Sequence, residues 1–255
     1  MSQFGLHMVY LWPKGFNLDA YGLMVKDANI WRTLFNTILY AVCNTLLMII
    51  TSLLLAYPLS NKHLLGRKWL NLYLLIPMYV SGGLIPTFLV ILKLGMYDSP
   101  LALILPGCFS IWNAILVKSF ISSIPEGLTE AAQIDGTDVW TSLWYIVLPL
   151  STPVLAVIAI STIVGVWNNW FSASVYLPHD TWHPLQLYLR NILDANETMA
   201  TMLSIEESER AAALELANAQ LKYAMILFSS LPVLCSYPFF QKYFEKGMML
   251  GSLKG

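Results

Sequence analysis

Charge is what this chain has least of. Only 11% of its 255 residues are Asp, Glu, Lys or Arg, where a soluble domain carries about 25%. The formal net charge is −1, which removes the basic footprint that nucleic-acid binding requires. Cysteine is scarce too, with only Cys43, Cys108 and Cys235, each inside an apolar run. Their spacing makes no metal or redox motif, and they read as small buried hydrophobes. No Gly-x-x-x-x-Gly-Lys-Ser/Thr loop occurs, so the chain has no phosphate cradle of its own and ATP chemistry would fall to a partner. Residues 1–32 lack an apolar segment behind a basic start, so no cleavable signal peptide is expected.

What the chain has instead is uncharged length. It is 57% hydrophobic, with a mean hydropathy of +0.61. Uncharged runs occupy 33–57, 69–92, 101–117, 150–177 and 223–241. About 20 apolar residues cross a bilayer as a helix, and a helix satisfies its own backbone polar groups there. The expectation is an all-α integral membrane protein with five transmembrane helices in one domain, 33–255. An external segment, 1–32, precedes it, a loop at 118–149 interrupts it, and the largest extramembrane segment is 178–222. The second run contains Pro77, Gly82, Gly83 and Pro86, which predicts an interrupted helix facing protein rather than lipid. Helices are also expected over Pro184 to Leu193 and Ile205 to Leu221. With five spans, the Lys62 loop, the 118–149 loop and the C-terminal tail share one side. Lys and Arg divide seven to seven between the two sides. The basic first loop gives only a lean towards that side being cytoplasmic.

One polar island stands among these runs, Glu126 to Pro149. Ser123-x-x-Glu126 is a capping-box pattern with Pro125 in the first turn. Gly136 suits a left-handed helix stop, and Asp138 suits the N-cap of a second helix. Val139, Trp140, Leu143, Trp144 and Val147 fall on one face of that helix, with Trp140 and Trp144 expected to turn back against the membrane bundle. Periodicity alone leaves two readings open, a docking surface for another protein or an interfacial amphipathic loop.

Glu130-Ala131-Ala132, then Gly136, then Ile146-x-Leu148-Pro149 resembles the EAA motif of ABC-importer permeases in residue type and spacing. Trp167 to Trp170, Pro184 to Leu187, Gln241 to Gly247 and Gly251 to Gly255 are similar to the carbohydrate-uptake, maltose-permease-like branch. The resemblance implies a bacterial inner-membrane protein whose loop is cytoplasmic and docks into a cleft of an ABC ATPase dimer. Glu126, Glu130, Ala131, Ala132, Asp135, Gly136, Leu148 and Pro149 would form the docking set, with Glu130 on a basic residue and Gly136 at the bend. The tail would also reach the ATPase. A second homologous permease would complete the pore, and an extracellular or periplasmic sugar-binding protein would deliver the sugar. It further implies a non-catalytic chain with no cofactor of its own, ATP and magnesium being held by the ATPase. Such permeases usually have six spans. The first is absent here, and a truncated start is expected.

Polar and aromatic residues within the spans are candidates for the substrate path. They are Asn44, Trp112, Asn113, Asn168 and Asn169, with Trp167 and Trp170 as stacking faces. The alternative for each is interhelical hydrogen bonding or an interfacial aromatic belt. No Asp, Glu, Lys, Arg or His lies within a run, which fits an uncharged sugar and gives no sign of a proton relay. An ion-coupled secondary transporter or channel subunit is the competing function. His179 and His183 are four apart, but Pro178 and Pro184 leave no room for the helix a shared metal needs.

Overall fold

The computed structural model describes residues 19–125, 127–128, 136–203, 220, 222–232 and 234–235. Every regular element among them is helical. Helix α1 (Asp19–Lys26) meets α2 (Ala28–Ser60) at Asp27, whose carboxylate accepts the Asn29 amide at 2.9 Å and caps α2. With 33 residues, α2 is about 50 Å long at 1.5 Å per residue, against about 30 Å for a hydrocarbon core.

Helix α2 is inside out by the standards of a soluble protein. Its buried stripe carries Thr33, Asn36, Thr37, Asn44, Thr45 and Ser52 beside Ile30, Tyr40, Met48 and Ala56. Its exposed stripe is Trp31, Phe35, Ile38, Val42, Leu46, Ile50 and Leu54, spaced by three and four as one helix face requires. Small polar residues let neighbouring helices approach and hydrogen-bond, while large side chains meet lipid.

Three packing clusters are strung along this helix. Near its start, Ile30 packs with Met24, Trp167, Leu185, Leu189, Ala224 and Met225. At its middle, Tyr40 packs with Ile91, Met96, Leu103, Tyr176 and Leu177. Towards its end, Met48, Leu53 and Ala56 meet Val117, Ile121, Leu143, Val147, Val154 and Ile158.

Among the described residues, α2 is the one unbroken helix long and apolar enough to cross a membrane. Helices α3 (Arg67–Tyr79) and α4 (Leu84–Lys93) join at a bend of 108°. Helices α5 (Leu101–Gly107) and α6 (Ile111–Ile121) join at 41°. Helix α7 (Val139–Leu150) joins α8 (Thr152–Trp167) at 75°. Counting each bent pair as one span gives up to four crossings among the described residues. The fifth expected run is described only over 223–232 and 234–235. Beyond α8 lie α9 (Trp170–Tyr176), a 3-10 turn (Asp180–Trp182) and α10 (Leu185–Leu203). The last of these is longer than the stretch expected to end at Leu193. The helix expected over 205–221 falls outside the described residues except at 220.

The interruption of the second run is present. Among the described residues α3 buries no residue and α4 only Ile91, although Arg67 and Asn71 tie α3 to the Leu59 carbonyl and to Lys118. The run's freed backbone is met by its own side chains. Thr87 Oγ1 donates to the Gly83 carbonyl at 2.8 Å, and Ser81 Oγ accepts the Gly83 amide at 3.3 Å. The cysteines depart from expectation, because Cys43 and Cys108 are half-buried and Cys235 is exposed. An apolar run in lipid does not need protein cover.

Candidate functional site

The 126–149 loop leaves the end of α6. Ser123 Oγ donates to the Phe120 carbonyl at 2.7 Å, so that hydroxyl is engaged with the end of α6. Glu126, Glu130, Ala131, Ala132 and Asp135 lie outside the described residues. Gly136 is in the left-handed region at φ 79, as a helix stop there requires. Two residues on, Asp138 Oδ1 accepts the Thr141 amide at 3.1 Å and caps α7. The hydrogen bonds from Thr141 hold the Asp138 carboxyl below its ordinary value.

Helix α7 widens into a π turn over Leu143–Val147, closed by the Leu148 amide on the Leu143 carbonyl. Pro149 supplies a physical reason. A proline inside a helix has no N–H to donate and its ring clashes with the carbonyl four residues back, and a widened turn moves that carbonyl aside. The chain then bends at Ser151, where α8 begins. Leu148 is half-buried against the cluster at the end of α2, and Pro149 is exposed.

The bracing side chains are not the tryptophans. Trp140 and Trp144 are 58% and 49% exposed, whereas Leu143 and Val147 are buried at 3% and 0%. The apolar face of α7 was expected to be broad. Its aliphatic residues Leu143 and Val147, with Leu148 beside them, pack with Val117, Ile121 and Ile158.

The substrate-path candidates are dispersed. Asn44 is buried between helices, its Nδ2 donating to the Tyr40 carbonyl at 3.0 Å. Its Oδ1 has no partner among the described residues and lies against Gly107. Asn169 caps α9 by accepting the Ser172 amide at 3.2 Å. Asn44 and Asn169 line one cavity of about 90 Å³ together with Tyr40 and Gly107, far below the 300 Å³ or more of a typical ligand pocket. Trp167 is buried and donates its indole N–H to the Ser229 carbonyl at 2.9 Å. Trp170 carries the Arg190 guanidinium 3.6 Å above its ring. Asn168 is exposed, with its Nδ2 on the Val164 carbonyl. Trp112 is 63% exposed, and Asn113, half-buried, has its amide capped by Ser110.

The family model for the binding-protein-dependent transport system inner membrane component matches residues 48–250. The chain belongs to that family. The permease is 37% identical, over 96% of its length and 82% of the relative's, to protein LplC of Bacillus subtilis (strain 168). It is 38% identical, over 95% of its length and 84% of the relative's, to the polygalacturonan/rhamnogalacturonan transport system permease protein YtcP of the same organism. Among solved structures it is similar to a chain of a bacterial ABC transporter involved in the import of the acidic polysaccharide alginate. The TM-score there is 0.79 at 30% identity, covering 92% of the permease and 82% of that chain.

Several contacts in the permease had no local sequence signal. Arg32 pairs with Asp180 at 3.2 Å across 148 residues. Tyr188 donates to Asp27 at 2.6 Å, and burial together with that carboxylate holds its phenol above the ordinary value. His179 contacts Asp98 at 2.7 Å, while His183 donates Nε2–H to the Leu177 carbonyl at 2.9 Å. The two histidines therefore serve different neighbours. Only the pairing of residues distant in sequence, absent from one sequence, would have revealed these ties.

Proposed function

We propose that this permease forms half of the pore of an ATP-driven importer for oligosaccharides and couples to a separate ATPase dimer through its 126–149 loop. Family membership supports the importer role, and the sugars for which its relatives are named support the sugar class. Two of those relatives carry acidic polymers by name, so ionised sugars belong beside the uncharged ones first expected. A second permease would supply the other half of the pore, and a binding protein outside would deliver the sugar. The loop and the tail would then lie in the cytoplasm, with α1 and α10 outside.

The observation that carries the coupling assignment is the Glu130 to Pro149 motif, with Gly136 at its left-handed bend and α7 anchored by Leu143 and Val147. Among the described residues nothing lies within 4 Å of where a Gly136 side chain would begin, which supports a bend that a partner can reach. Gly136→Trp should leave membrane insertion intact while abolishing co-purification of the ATPase and ATP-driven uptake. Unchanged assembly and uptake in that variant would remove the docking assignment.

A further inference from the structure

A cleft lies between the C-terminal half of α2, the start of α3 and the end of α6. Its volume is about 170 Å³, and its walls are aliphatic, among them Leu59, Leu75, Ala114 and Ile115. Asn71 and Lys118 are its only polar lining residues. Lys118 Nζ donates to Asn71 Oδ1, and Asn71 Nδ2 donates to the Arg67 carbonyl at 2.8 Å. Arg67 spends Nε on the Leu59 carbonyl at 2.9 Å, and its positive charge bears on Lys118. Two cations thus share one rim. No acidic residue occurs between Asp27 and Asp98, and no carboxylate pairs with Arg67 or Lys118 among the described residues. Like charges on one rim disfavour each other, and a bound anion would relieve that.

The geometry runs along the membrane normal. Arg67 opens α3 and Lys118 lies one turn from the end of α6, so both sit at one end of the bundle. Ile111, seven residues deeper on α6, also lines the cleft, which puts its floor about 10 Å below the cations. Trp69 and Tyr73 stand exposed on α3 beside the rim, at 73% and 70%, where interfacial aromatics mark headgroup level. An apolar cavity of about 150 Å³ stays dry and takes an apolar guest. A sugar would need partners for its hydroxyls, and two polar side chains cannot supply them.

We propose that this cleft binds an anionic phospholipid, with the headgroup phosphate on Lys118 and Arg67 and the upper part of an acyl chain along the aliphatic walls. Basic pockets between membrane helices bind such headgroups by charge. The site is separate from the 126–149 docking set, and lipid retention is read without ATP turnover.

The test is native mass spectrometry on the whole purified transporter, exchanged against equal phosphatidylglycerol and phosphatidylcholine. The wild type should retain phosphatidylglycerol over phosphatidylcholine by on the order of tenfold. The double variant Arg67→Gln/Lys118→Gln should erase that preference, and Lys118→Arg should keep it. Leu75→Trp, at a wall position 37% exposed, fills the cleft without touching either charge and should lose the lipid in folded, assembled transporter. It also decides the matter should the double variant fail to assemble. Equal retention of both lipids by the wild type, or an unchanged preference in the double variant or in Leu75→Trp, would overturn the proposal. So would displacement of the lipid by an oligouronate, or a disulfide from cysteine placed at Leu75 to the second permease or the ATPase.

Discussion

Gly107 and Asn44 show how closely single residues are matched where α5 crosses α2. A Cβ on Gly107 would run into Asn44 Oδ1, and Asn44 is 1% exposed. Gly107→Ala should therefore destabilise by about 1–3 kcal/mol, the usual range for an overpacked site. Asn44→Ala should cost less, about 1 kcal/mol, the usual net worth of one intramolecular hydrogen bond, here within α2. It removes one bond, to Tyr40, and an Oδ1 that had no partner. The double variant should be clearly better than the sum, because removing the amide makes room for the methyl. Thermal melting of the detergent-purified transporter measures all three, and strictly additive losses would mean the two residues do not compete for space. Asn44 stood out in the sequence as a polar residue within an apolar run. That its space was reserved by a glycine 63 positions later was not legible there.

At the scale of the element, α7 is held by a narrower contact than its sequence suggests. Leu143→Ala should cost about 2–5 kcal/mol, as buried leucine truncations do, and loosen α7 from α2, α6 and α8. Trp140→Ala removes a larger side chain from an exposed position and should move the melting temperature much less. Melting curves that rank Trp140→Ala as the more harmful would return the bracing role to the tryptophans. The cap at Asp138 and the left-handed backbone at Gly136 were legible because they depend on local geometry. The first uncharged run was legible as a helix for the same reason, and α2 extends past it at both ends. The bracing face was not, since five apolar residues shared one arc and only the neighbours choose among them. The bends at 108° and 75° were signalled by Pro and Gly, but their size depends on packing that no local pattern encodes.

Across the whole molecule, apolar packing runs the length of α2, but its polar ties to other elements are denser in the first half. Its first half is stitched to residues 180–188 by polar bonds. Asn36 Nδ2 donates to the Thr181 and His183 carbonyls at 3.0 and 3.2 Å, and Tyr40 donates to the Trp182 carbonyl at 2.8 Å. Thr37 Oγ1 accepts the Leu185 amide at 2.8 Å. Its second half packs mainly in the apolar cluster around Val117 and Val147, with Thr51 Oγ1 donating to the Cys108 carbonyl at 2.8 Å. There the buried Ser52 hydroxyl has no partner among the described residues. Two substitutions of similar chemistry should then behave oppositely. Thr37→Val keeps the shape and leaves the buried Leu185 amide without its acceptor, a loss of about 1–3 kcal/mol. Ser52→Ala removes a hydroxyl that bonds nothing and should be neutral or slightly stabilising. Hydrogen exchange read by mass spectrometry separates them by place as well as size. Thr37→Val should speed exchange in peptides covering 180–190 and leave 143–158 as in the wild type. Ser52→Ala should change neither. Faster exchange over both regions in Thr37→Val would mean that the two halves open as one unit and that the division along α2 has no energetic meaning.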